Sequence, residues 1–332
     1  MAYHKGVFKN CSHIDACSMY PTQCVRYFHP IGPLLKEPPN AMSTRILYPV
    51  GFYELKVDKV PCVQWSSKVN CARYTYKKTY NPSEYVSDFY LDGSYPIWEE
   101  EYEIIKQCYN VHGEEFEKVW YIEMTDNIVL KDYIELLFNG KRTNTGTKRL
   151  FFKYLMNSLY GKFLTRPDGT SIGYFEEDGE WIRAKLETIK NVYYLPLGSW
   201  IAMMGRVTLM KAILSIDSKD FIYCDTDSII YKGDKMPDVK LGKELGCWEM
   251  EHEKVDVNII GPKTYQELED GKVITKCGGL PTVVKDKLNW LELYDGMTVK
   301  CEKPRRDPNT WAINMVETEF TVSTKASIYR RG

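Results

Sequence analysis

Apolar positions along the chain switch between a period near two, which marks strands, and a period near 3.6, which marks helices. His13-Ile14-Asp15 running on through Ser18-Met19-Tyr20-Pro21 reads as a short β-like run stopped by proline, and the recurrence of proline at 30, 33, 38 and 39 predicts a loop-rich insertion. β-Branched and aromatic residues then dominate Ile46 to Val57 and Val60 to Tyr80, which predicts strands, while Trp98 to Tyr109 and Leu130 to Phe138 carry helical spacing. The longest helical pattern is Thr147 to Phe163, with Thr147 as the expected cap and Pro167 beyond its end. Gly173-Tyr174-Phe175 and Trp181-Ile182 flank Asp178-Gly179, the dipeptide of a tight hairpin. Ser199 to Ser215 is helical again and feeds two apolar strands, Phe221 to Cys224 and Ser228 to Tyr231, which bracket an acidic turn. Short strands and a helical stretch from Pro281 to Leu293 complete a small C-terminal unit. The alternation of strands and helices predicts a mixed α+β chain.

Length and charge refine this picture. A chain of 332 residues has room for roughly two domains, or one core with large insertions. No apolar run is expected to reach the roughly 20 residues that span a bilayer. The first residues show no secretory pattern, so a soluble, intracellular protein without a membrane partner is expected. The ten cysteines show no C-x-x-C pair and no histidine at zinc-ligand spacing, which predicts reduced thiols in the core. The 44 basic and 45 acidic side chains cancel, yet their distribution is uneven. From Leu136 to Pro167 no Asp or Glu occurs among seven Lys and Arg residues, which predicts a local anion site; a solvated basic helix is the alternative. The acidic stretch from Trp98 to Glu117 is expected to face water or a basic partner.

The candidate chemistry sits on these elements. Asp225-Thr226-Asp227-Ser228 places two carboxylates two positions apart between apolar strands, so both can converge on one site. Buried carboxylates demand cations, and oxygen ligands point to Mg²⁺ or another hard divalent ion. An exposed acidic turn would look similar in isolation, but it would need no apolar strands on either side. Asp15 is the candidate third carboxylate, since a bridging group on a second strand is what a pair of metals requires; alone, a single Asp before a turn is more often a local cap or Asx-turn. On the long helix, Arg149, Lys153, Asn157 and Tyr160 follow one another at steps of four, four and three and share a face. Cations at one end and an aromatic ring at the other suit a nucleoside triphosphate, and Gly161 leaves room where a base could approach. An ordinary amphipathic helix is the competing reading.

Three of these segments resemble, in order, the motifs of family B DNA polymerases. Asp15 to Pro21 resembles motif A (D-x-x-S-L-Y-P), Lys153 to Gly161 motif B (K-x-x-x-N-S-x-Y-G) and Tyr223 to Ser228 motif C (Y-x-D-T-D-S). The resemblance is closest to the protein-primed branch of linear-genome bacteriophages and linear plasmids. There, Lys263-Thr264-Tyr265 resembles the K-x-Y motif at the primer end, and Lys276-Cys277-Gly278-Gly279 resembles the segment before the thumb.

The resemblance implies a right-hand fold: a palm built on an antiparallel sheet (1–26 and 198–280), helical fingers (125–166), a small thumb with the C-terminal tail (281–332), and two branch-specific insertions (27–124 and 167–197). It implies primer extension with deoxynucleotides by two Mg²⁺ ions, or Mn²⁺, held by Asp15, the Ala16 backbone carbonyl and Asp227, with Asp225 in support. Tyr20, Lys141, Arg149, Lys153 and Tyr160 would bind the incoming nucleotide, Tyr20 as the steric gate against ribose. Ser18, Asn157, Gly161, Phe163, Lys263, Tyr265 and Lys276 would bind template and primer. Implied partners are primer-template DNA, dNTPs and a terminal protein, with the chain a monomer in the cytoplasm of a host cell and capable of strand displacement.

The chain departs from the pattern in two places. Such polymerases normally carry an N-terminal 3′–5′ exonuclease domain, whereas this sequence begins about a dozen residues before motif A, so no proofreading is expected from this polypeptide. Tyr3-His4-Lys5-Gly6 resembles a degenerate Y-x-G-G linker between the two domains, its glycine displaced and its DNA-stabilising role not expected to persist. Ala16-Cys17 replaces the usual residues inside motif A, with little harm expected, because only a backbone carbonyl is needed there. Two rivals remain: a catalytically idle DNA- or terminal-protein-binding remnant, and another palm enzyme such as a reverse transcriptase. Intact carboxylates oppose the first, and Asn157-Ser158-Leu159-Tyr160-Gly161 opposes the second.

Overall fold

The computed structural model describes residues 2–26, 28–35, 62–65, 73–76, 88–90, 95–112, 116–125, 130–164, 172–177, 180–185, 194–307, 310 and 312–323. Its centre is an antiparallel sheet of β1 (Ala2–Tyr3), β2 (Gly6–Ala16), β12 (Phe221–Asp225), β13 (Ser228–Lys232), β14 (Trp248–Gly261), β15 (Thr264–Glu269) and β16 (Lys272–Cys277), in the order β1-β12-β13-β2-β14-β15-β16. The first motif strand is thus eleven residues long and central, where a short run was expected. Its even positions Ile14 and Ala16 join the core beneath helix α5 (Leu195–Leu214), while Cys11 packs with Val255, Val257 and Tyr265 in a second cluster.

The run after Ala16 is not extended. A turn with Ser18 at φ 60° leads into α1 (Met19–Gln23). Pro21 sits in the first turn of this helix, where its missing N–H has no intrahelical partner to lose, so proline here belongs to the helix instead of ending a strand.

α5 is apolar nearly all round, and Trp200, Ile201, Met203, Met204, Val207, Leu209, Ala212 and Ile213 are buried. By length and composition it could cross a membrane, contrary to the expectation that no segment would. Here that apolarity serves the core. α2 (Glu99–Cys108) crosses it, with Trp98 edge-on to Trp200 at 5.0 Å and the Trp98 indole donating to Ser199 Oγ at 3.3 Å. The acidic stretch therefore finds part of its partner within the fold, since Arg206 grips Glu101 through two bonds of 2.6 and 2.9 Å.

α3 (Lys131–Thr143) and α4 (Gly146–Phe163) pack on the N-terminal side of α5. α3 buries Ile134, Leu137 and Phe138 at helical spacing, whereas α4 buries only Met156 and leaves Phe151 and Tyr154 exposed. α4 begins a residue earlier than expected and Thr145, not Thr147, precedes it, without a side-chain cap.

Between α1 and α3, β3 (His29–Leu35), β4 (Cys62–Trp65), β7 (Tyr95–Ile97) and β9 (Phe116–Thr125) form one sheet, and β5 (Arg73–Tyr76), β6 (Asp88–Tyr90) and β8 (Tyr109–His112) another. Strands are thus present within Val60 to Tyr80; Ile46 to Val57 lies outside the described residues. β10 (Ile172–Glu177) and β11 (Glu180–Lys185) pair as the expected hairpin, with Glu177 opposite Glu180. The two turn residues between them lie outside the described set.

Only Thr282–Lys285 of the expected C-terminal helix is helical (α6). The Gln266 amide donates to Asn289 O and its carbonyl accepts from Leu291 N, each at 2.9 Å, and Leu291 adopts φ 66°. Fastening to the sheet replaces helix continuation. β17 (Thr298–Arg306) and β18 (Ile313–Thr321) close the fold as a hairpin. Seven cysteines among the described residues are free and buried, as the scattered spacing predicts.

Candidate active site

The acidic hairpin and β2 are neighbours. Asp225 pairs with Ser228 across the β12–β13 turn, in which Thr226 takes φ 48°, and Ser228 pairs with Asp15 on β2. The Ala16 amide donates to the Asp227 carbonyl at 2.7 Å. Residues more than two hundred positions apart are thereby fixed on one edge of the sheet. Asp15, Ala16, Ser18, Met19, Tyr20, Pro21, Lys141, Lys153, Asn157, Tyr160 and Asp227 line a single cleft of about 280 Å³ between this edge and α4.

The electrostatics of the cleft are polarised. Burial, then Asp227, then Glu251, raise the Asp15 carboxyl to about 7. Burial and Asp225 also raise Asp227, with Lys153 and Lys263 pulling it back. Asp225 is engaged by Lys263, whose Nζ lies 3.4 Å from Oδ2. Two half-buried carboxyls, both raised by burial and the first raised further by the second, form a donor set suited to hard divalent cations, which offset that cost. Across the cleft, Lys141 is lowered by burial and then by Lys153 and Arg149, and it donates to Ser18 Oγ at 3.0 Å. A cationic wall whose members repel one another suits a polyanion.

Tyr20 and Tyr160 stack with ring centroids 4.5 Å apart and 25° between planes. Behind Tyr20 lies Gly205 of α5, where a Cβ would stand 3.1 Å from the Tyr20 ring. The glycine lets the ring sit this deep.

The remaining expected residues lie around the cleft. Arg149 is exposed on the first turns of α4, and Gly161 has open space where a side chain would stand. Phe163 lies at the far end of α4, its Cβ 3.0 Å from where a Cβ on Gly198 would be. Lys263 donates its amide to the Tyr223 hydroxyl at 3.1 Å, and the buried Tyr265 ring lies 5.2 Å from that of Tyr223. Lys276 is exposed on β16 opposite Tyr265, three strands from β2, or about 14 Å by strand spacing. Sequence reasoning missed Gly205 and the carboxylates of β14, where Glu249 pairs directly with Asp15. The alternation of acidic residues at 249, 251 and 253 was the available signal for the latter.

Residues 1–241 match the family described as DNA polymerase type B, organellar and viral, and the chain belongs to that family. The DNA polymerase of Bacillus phage phi29 is 27% identical over 347 residues, covering 93% of this chain and 57% of the relative. A probable DNA polymerase of Neurospora intermedia is 27% identical, over 87% of this chain and 32% of its own length. The chain thus spans little more than half of the phage relative. Among solved structures, phi29 DNA polymerase with primer-template DNA and incoming nucleotide substrates superposes over 97% of this chain and 59% of that one, at 22% identity and a TM-score of 0.72. The fold is shared.

Proposed function

We propose that this chain carries the polymerising centre of a DNA-directed DNA polymerase of the protein-primed kind, adding deoxynucleotides to a primer 3′-hydroxyl. The observation that carries the reading is the single cleft in which Asp15 and Asp227 face Lys141, Lys153, Asn157 and Tyr160. On this reading the central sheet from 1–26 and 198–280 is the palm, 125–166 the fingers and 281–332 the thumb and tail. Segments 27–124 and 167–197 are the two insertions, which would meet a terminal protein and support strand displacement.

Asp15, Asp227 and the Ala16 carbonyl would hold two Mg²⁺ ions, with Asp225 supporting. Bound there, the ions supply activation of the 3′-hydroxyl and neutralisation of the triphosphate. Lys141, Lys153 and Arg149 bind the phosphates and balance the charge that gathers on departing pyrophosphate. Tyr20, held by the Tyr160 stack and by Gly205 behind it, excludes a 2′-hydroxyl. Asn157 and Gly161 meet the templating base. Ser18, Phe163, Lys263, Tyr265 and Lys276 hold the nucleic acid strands, the lysines through phosphates, so binding weakens with salt.

The test is primer extension by the purified chain with Mg²⁺ on DNA and RNA templates, using deoxy- and ribonucleotides. Extension of a DNA primer on DNA with deoxynucleotides is expected. Retention of primer-template with no extension in Mg²⁺ or Mn²⁺ would instead favour a binding remnant, and preference for an RNA template a reverse transcriptase.

A further inference from the structure

A second cluster of ligand-type side chains lies on the same sheet face as Asp15, two residues back along β2. His13 is 3% exposed, and its Nδ1 stands 2.8 Å from Glu267 Oε1. Its Nε2 is buried and makes no hydrogen bond. An imidazole that donates from Nδ1 keeps its lone pair on Nε2, so an acceptor of high basicity points into the interior with nothing to bind. His252 repeats the arrangement, with Nδ1 3.0 Å from Glu269 Oε2 and Nε2 3.7 Å from Glu267 Oε2, an oxygen that is also buried and without a hydrogen-bond partner.

The backbone explains how the two rings meet. β14 pairs Met250 with Ile14 and then His252 with His13, so Glu251 and His252 together oppose one residue of β2. This is a β-bulge, a device that re-aims side chains. It turns two consecutive residues toward His13, and one donor atom from each of His13, Glu251 and His252 lies within 4.8 Å of the others.

We infer that His13, His252 and Glu251 form a binding site for one first-row divalent transition ion, with Glu267 and Glu269 holding the imidazoles from behind. Histidines whose second nitrogen is fixed by a carboxylate are the usual form of such ligands. Two imidazoles and one carboxylate favour Zn²⁺ or its neighbours over Mg²⁺, which separates this site chemically from the oxygen donors of Asp15 and Asp227. Ligand bonds of about 2.0–2.2 Å place donors about 3.3 Å apart around a tetrahedral ion, so donors within 4.8 Å of one another close on it by small side-chain rotations, to which the exposed Glu251 is free to contribute most. The ion would pin β2 to the bulge of β14 beside the catalytic carboxylate, and Glu251 leaves it a path to solvent.

The test uses the full chain after chelator treatment, titrated with Co²⁺ and followed by its ligand-field absorption, then with Zn²⁺ by calorimetry. One ion per chain is expected, displaced by Zn²⁺ and not by millimolar Mg²⁺. His252→Ala and Glu251→Gln should each weaken binding at least about tenfold. The Asp15→Asn/Asp227→Asn double variant should bind the ion unchanged while losing extension, so failure here and failure of the polymerase reading are separately visible. Far-UV circular dichroism monitors folding, and Glu251→Gln, altered at an exposed side chain, carries the test if His252→Ala unfolds. Absence of stoichiometric binding, equal affinity in folded His252→Ala and Glu251→Gln, loss in the Asp15/Asp227 variant, or displacement by Mg²⁺ would each overturn the inference.

Discussion

The two faces of the central sheet are made from the same strands and do opposite work. On β2, Ile14 and Ala16 pack against α5, while His13 and Asp15 point to the side where charge gathers. β13 turns Ile229 toward α5, while Ile230 on the opposite face packs in the second apolar cluster. One face is apolar and closed and draws its energy from burial. The other has its own apolar cluster around Ile230 and Val257 but also holds carboxyls whose ionisation is opposed by burial and by neighbouring carboxylates, an arrangement that costs stability until a cation binds. A sheet this deeply packed on one side can carry such groups on the other.

That contrast can be broken experimentally. The largest effect is expected from Asp227→Asn, which should reduce primer extension by about 10³-fold or more in steady-state assays, with primer-template binding nearly unchanged and the melting temperature in chelator not lowered. Lys153→Ala should lower the rate by about 10²-fold through lost phosphate neutralisation, measured as kcat/KM for the incoming nucleotide. Tyr20→Val should relax discrimination against ribonucleotides by about 10–100-fold, read from the ratio of kcat/KM values. On the closed face, Ile229→Ala should cost about 2–5 kcal/mol in urea unfolding while leaving the rate at low temperature nearly intact. If Ile229→Ala abolished extension without loss of stability, the division of labour between faces would fail.

Acidity offers a subtler probe. Asp15 is raised from 3.8 to about 7, so between those values the folded state keeps a proton that the unfolded chain releases. Its contribution to stability is therefore present at low pH and is lost as pH rises through that window. In chelator, the melting temperature should decline from about pH 4 to 7 by a margin that Asp15→Asn removes, and Mg²⁺ should restore it at pH 7 and above. An unchanged slope in Asp15→Asn would show that other groups set the pH dependence.

Much of this arrangement is legible before any coordinates. Asp225 and Asp227 stand on a local pattern and Lys153, Asn157 and Tyr160 on one helix period, so spacing nominates them, while Asp15 and the choice over bland local readings come from the ordered resemblance to family B DNA polymerase motifs. For Glu249 and Glu251 the acidic alternation at 249, 251 and 253 marks only a shared face, because their place beside Asp15 depends on how β14 registers against β2 through successive irregularities, a long-range fact. Gly205 is invisible for a related reason: its role exists only once α5 lies against α1. The C-terminal helix was over-read because Gln266, on a strand some twenty residues earlier, claims the backbone groups that a helix would have used.

The strict two-fold alternation of β2 also limits how this protein can evolve. Adding or deleting one residue between Cys11 and Ala16 would turn Ile14 out of the core and Asp15 in beneath α5, disrupting core and cleft together. Length changes are affordable only beyond the strand's ends, whereas exchanges of one side chain for another of the same character can accumulate along it. Comparison of distant relatives should therefore find substitutions here but no gaps.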